Sequence, residues 1–122
     1  MKKPDRIHQI VLNKELASLG DAYVNFIYSL ALTRISGHPR AVKVSDRILA
    51  GALKLAGLRG YLGTRITRKD LANASESLLV EAYLRELLTV QESVQILTQH
   101  PDGPAAGLSE LLKLAAERLG QG

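Results

Sequence analysis

The sequence predicts an all-α protein. Apolar residues recur at helical spacing through its long segments, capping residues stand at regular intervals, and the alternation expected of half-buried strands is essentially absent. The punctuation marks about five helices. Asn13 is placed to cap a helix reaching about Ser36, where Gly37-His38-Pro39 stops it. Ser45 and Asp46 head a second helix that Gly57 ends, and Gly60 to Arg65 reads as an irregular basic loop. Thr67 followed by Asp70 resembles a capping box and opens a third helix, expected to reach about Leu88. Thr89 followed by Glu92 starts a fourth that ends near His100. After the turn Pro101 to Pro104 a last helix runs to Gly120, with Leu108, Leu111, Leu112, Ala115 and Leu119 on one face.

With 122 residues, 46% of them hydrophobic and 23% charged, the chain reads as one soluble domain spanning 1–122. At that size roughly two-thirds of the unfolded surface can be buried, so a core needs no staples. The sequence has no cysteine, which excludes disulfides, thiolate zinc sites and Cys nucleophiles and fits a cytoplasmic location. No apolar run is long enough for a signal-peptide core or a membrane span. Charge is unevenly placed. Residues 34–69 carry a net +8 within a chain of net +4, while residues 70–122 carry −5. A clustered basic segment is the footprint of a polyanion binder, although a solvated face would look the same. One Phe, four Tyr and no Trp argue against a platform for stacking unpaired bases.

Leu19 to Leu32 is apolar nearly all round, which predicts a helix buried in the middle of the domain. Its polar exceptions Ser18, Asp21, Asn25 and Ser29 form one stripe. An unpaired buried carboxylate is costly, so the stripe must face water, a polar partner such as Arg34, or a metal. Gly20 inside the helix costs about 1 kcal/mol relative to Ala and marks a close backbone approach. In the third helix Asn73 and Glu76 stand one turn apart within the small-residue stretch Ala72 to Ser77. If the two stripes face each other, Asp21, Asn25, Asn73 and Glu76 converge as oxygen ligands for a hard divalent cation such as Mg²⁺.

The run from Glu15 to Asn25, with Leu19-Gly20-Asp21-Ala22 at its centre, resembles the signature helix of ribonuclease III catalytic domains. The segment Asn73-Ala-Ser-Glu76-Ser-Leu is similar to that family's second motif, and the likeness covers about residues 10–97. It is greatest to short archaeal ribonuclease III-like proteins and Mini-III enzymes, which lack a separate double-stranded-RNA-binding domain. The segments Lys43 to Ala50 and Ala56 to Arg59 add to the archaeal likeness. By the resemblance Asp21 matches the catalytic aspartate and Glu76 the essential metal-binding glutamate. Bacterial members carry Glu where this chain has Ala17 and Asp where it has Asn73; many have Glu at the position of Lys14. Asn73 still offers a neutral carbonyl oxygen to a metal. Two carboxylates in place of four imply weaker metal binding and leave the number of ions, one or two, open.

The resemblance implies a metal-dependent endoribonuclease that cuts double-stranded or structured RNA as a homodimer, with Mg²⁺ or Mn²⁺ and no organic cofactor. Phosphate contacts are expected from Arg40, Lys43, Arg65, Arg68 and Lys69 in the basic segment. His8, His38 and His100 lie outside both motifs and read as surface residues. The competing reading is a catalytically degenerate dimer, its site eroded at Ala17 and Asn73, that serves as an RNA-binding or protein-interaction scaffold.

Overall fold

A computed structural model describes residues 3–121; Met1, Lys2 and Gly122, part of the expected domain span 1–122, lie outside the described residues. Four of the predicted caps close as their chemistry requires. Asn13 accepts from the Leu16 amide at 3.0 Å, Ser45 from Ile48 at 3.2 Å, Thr67 from Asp70 at 3.1 Å and Thr89 from Glu92 at 3.0 Å. Asp70 answers by accepting from the Thr67 amide at 3.0 Å, which completes the capping box. These caps head α2 (Lys14–Ser36), α3 (Asp46–Leu55), α4 (Arg68–Leu84) and α5 (Val90–Thr98). The C-terminal helix, α6, spans Pro104–Gln121. No strand occurs among the described residues.

The helices depart from expectation at two points. An additional helix, α1, spans Lys3–Val11, and Ile7, Ile10 and Val11 turn one buried face to the core. Helix α4 stops at Leu84 rather than near Leu88, because Glu86 enters the left-handed region at φ 60° and Leu87 turns back to bond the Ala82 carbonyl. Burial of Leu88 (1% exposed) holds the chain in that turn, although no Gly or Pro announces it. The expected basic loop holds a 3₁₀ turn at Arg59–Tyr61, and Arg65 also has a left-handed φ of 59°.

The helix enclosed on every side is α4, not α2. Along α4, Leu71, Ala72 and every residue from Ala74 to Val80 are buried. Its small side chains let α2, α3 and α6 pack on different faces of one axis. The buried hydroxyls are satisfied: Ser75 donates to the Leu49 carbonyl at 2.8 Å and Ser77 to that of Asn13 at 3.1 Å. Helix α2, expected to be central, instead leaves Leu19 (49%) and Phe26 (55%) exposed. No helix among the described residues is long and apolar enough to cross a membrane.

Candidate active site

Helices α2 and α4 come into close backbone contact at Gly20. A Cβ there would overlap the Glu76 carbonyl oxygen and come within 2.8 Å of the Glu76 Cβ. Only glycine lets α2 lie this close to α4, and the contact brings Asp21 on one helix beside Glu76 on the other. Between them opens a cleft of about 280 Å³, lined by Ala17, Ser18 and Asp21 from α2 and by Asn73 and Glu76 from α4. Lys14 and Lys69, near the first turns of the same two helices, complete the lining.

The two carboxylates have unlike surroundings. Asp21 is half-exposed, accepts a hydrogen bond from Asn25 Nδ2 at 3.2 Å, and has Lys43 Nζ 3.7 Å away. Glu76 is 4% exposed. Its pKa is pushed up to about 8, first by burial and then by the neighbouring Asp21, with Lys69 pulling the other way. At neutral pH the protein therefore keeps a proton in the cleft.

Only part of the predicted polar stripe enters the cleft. Asn25 does not converge with Asn73 and Glu76 as expected, because its Oδ1 accepts from the Val44 amide at 2.8 Å. One turn further on, Ser29 Oγ accepts from the Val42 amide at 2.9 Å, and Thr33 Oγ1 from that of Arg40 at 3.0 Å. These side chains supply a non-helical linker with the partners its backbone lacks. They also lay residues 40–44 along α2, which carries Lys43 to Asp21. The partner of Asp21 is thus Lys43 and not Arg34.

The basic candidates divide. Lys69 lines the cleft and pairs with Asp46 at 3.5 Å, and Lys43 pairs with Asp21. Arg40, Arg65 and Arg68 are exposed and lie outside the cleft lining, on the linker, the loop and the start of α4. His8 donates from Nδ1 to the Tyr61 carbonyl at 2.7 Å and His100 lies 3.2 Å from Glu110, so neither faces the cleft. The sequence reading assigned Lys14 no role in the site. Its signal was available, since Lys14, Ser18 and Asp21 follow one another at helical spacing.

Oxygen dominates the donor set: two carboxylates, the Asn73 amide and the Ser18 hydroxyl. That chemistry suits a small hard cation with water completing its shell. No group of three or more His, Cys, Asp or Glu is placed to hold a metal among the described residues, so Asp21 and Glu76 would be the only anionic ligands. A buried carboxyl that holds a proton next to a second carboxylate is also a place where a cation can replace that proton.

A helical body with paired carboxylates in a cation-rimmed cleft has the equipment of an enzyme acting on phosphate esters. The ribonuclease III family model matches residues 14–118, and the chain belongs to the ribonuclease III family, a family of nucleases. The match takes in both carboxylates, the Gly20 contact and most of α6. No curated protein matches the sequence.

Proposed function

We propose that the protein is a metal-dependent endoribonuclease acting on double-stranded or structured RNA, with Asp21 and Glu76 as its catalytic, metal-holding residues and Asn73 as an auxiliary ligand. The observation that carries this reading is the Gly20 contact, which sets the two carboxylates side by side at the wall of an open cleft. A bound Mg²⁺ or Mn²⁺ would supply Lewis-acid activation of water and charge neutralisation at the phosphate. Glu76 would hold the ion in its deprotonated form, and its burial restricts the freedom of that side chain. Asp21, held by Asn25, presents an oxygen from the solvent side. In the hydrolysis water adds to phosphorus and loses a proton, the bond to the leaving ribose oxygen breaks, and that oxygen takes up a proton from solvent, so that none is gained or lost overall.

Features of the surface support the partners of this reading. Leu19, Ala22 and Phe26 make an exposed apolar strip on α2, and Tyr23 beside them stacks on Tyr83 of α4 with ring centroids 4.9 Å apart. A second copy of the chain would cover that strip, making the enzyme a homodimer with two clefts. Lys69 lines the cleft, Lys43 pairs with Asp21 there, and the exposed Arg40, Arg65 and Arg68 are the further candidates for phosphate contacts. They suit the regularly spaced phosphates of an A-form duplex, which is recognised by backbone and shape. The lack of cysteine suits work in a reducing compartment such as the cytoplasm.

Two observations favour a scaffold instead. Lys43 stands against Asp21, and two carboxylates are few for a metal centre. Incubating duplex RNA with the protein and Mg²⁺ or Mn²⁺ separates the two readings. Cleavage that disappears in Asp21→Asn and Glu76→Gln supports the enzyme, whereas binding without cleavage at every metal concentration supports the scaffold.

A further inference from the structure

Lys14 is the first residue of α2, directly after the capping Asn13, and its side chain lines the same cleft as Asp21 and Glu76. The positive end of a helix dipole disfavours a cation in this position by some tenths of a kcal/mol, and acidic residues are the usual occupants. Among the described residues Lys14 has no salt-bridge partner within 4 Å, unlike Lys69, which is tied to Asp46, and Lys43, which is tied to Asp21. Asp70 feels the Lys14 charge without reaching it as an ion pair, so a cation at an unfavourable helix end beside an open cleft remains available to an anion that arrives from outside. Charge balance points the same way. A single divalent ion neutralises the two carboxylates, and a second would have no anionic ligand and would meet Lys14 and Lys69 as well. With one ion in place the two carboxylates are neutralised, and Lys14 leaves the cleft lining positive toward an anionic phosphodiester.

We propose that Lys14 is a substrate-contacting catalytic residue whose ammonium holds a non-bridging oxygen of the scissile phosphate, so that the cleft works with one divalent ion and a fixed lysine cation. This rests on the nuclease reading and goes beyond it by assigning the second positive charge to the chain itself. Lys14 donates hydrogen bonds and charge only; it forms no covalent bond and gives up no proton.

Two measurements test the proposal. Calorimetric titration with Mn²⁺ alone, without RNA, should give one ion per chain for the wild type. Lys14→Glu, which adds a carboxylate to the cleft, should bind Mn²⁺ at least several-fold tighter or take a second ion. Two ions per wild-type chain, or unchanged binding by Lys14→Glu, would overturn the one-ion assignment. In duplex-RNA cleavage, Lys14→Met should lower kcat on the order of 100-fold, as removal of one charge-stabilising donor does, with KM changed far less. Lys14→Arg should recover much of the loss, and the wild-type rate should rise with the first power of Mg²⁺ concentration. An unchanged kcat in Lys14→Met, with wild-type cleavage intact, rejects the lysine's role and leaves the nuclease reading standing. A wild type that cleaves no RNA with either metal rejects the nuclease reading and the phosphate contact with it. Lys14 is exposed at a helix start, so thermal unfolding of the variants should match the wild type and exclude misfolding as the cause.

Discussion

Replacing Glu76 by glutamine should stabilise the metal-free protein, by an amount that grows with pH. In the unfolded chain Glu76 ionises near 4.5, whereas in the fold burial and Asp21 hold its proton until about pH 8. Between those values the native state binds the extra proton, so wild-type stability must fall as pH rises. Relative to acidic solution the loss is about 3 kcal/mol at pH 7 and about 5 kcal/mol at pH 9, worked from the shift of 4.5 to about 8. Glutamine has nearly the same shape and no charge to bury. The variant should therefore resemble the wild type at pH 4.5 and exceed it progressively above, as seen by urea unfolding monitored by circular dichroism in chelator. Added Mn²⁺ should reverse the order, raising the wild-type midpoint and leaving Glu76→Gln unmoved. A variant less stable than wild type at pH 9 in chelator would refute the reasoning, because it would mean that the native environment prefers the carboxylate.

Three further outcomes follow from the geometry. Gly20→Ala should cost about 3 kcal/mol, because its Cβ meets backbone rather than a movable side chain, and thermal unfolding should show it together with loss of Mn²⁺ binding. Phe26→Glu changes an exposed residue and should leave the melting temperature of the monomer nearly unaltered while converting dimer to monomer in sedimentation; a variant that still sediments as a dimer removes α2 from the interface. Arg65→Gln combined with Arg68→Gln should weaken duplex-RNA binding and lower the slope of log affinity against log salt by about 1 per residue; an unaltered slope places the phosphates elsewhere.

The helices were readable because their signals are local. A cap and the amide it accepts from are three residues apart, and helical periodicity is complete within two or three turns. Helix α1 carries such a signal in Ile7, Ile10 and Val11, but at nine residues it is too short for periodicity alone to mark it as a helix. The early end of α4 has no local signal: Glu86 turns left-handed where no Gly or Asn stands, and Leu88 beyond it is buried in the core. In the site, Gly20 could be read as a close contact from its cost in a helix, although nothing nearby in sequence named Glu76 as the group it meets. Asn25 looked like a ligand by spacing, yet the amide of Val44 claimed its oxygen.

The linear chain determined the helical class, most of the caps and the presence of carboxylates on two helices, since each depends on residues within a turn or two of one another. Tertiary packing decided that α4 rather than α2 is enclosed, that Lys14 and Lys69 share the cleft, and that Glu76 keeps its proton to about pH 8. Those outcomes depend on which groups meet through space and on how much water remains between them. Desolvation and charge–charge energies exist only once the helices have closed on one another.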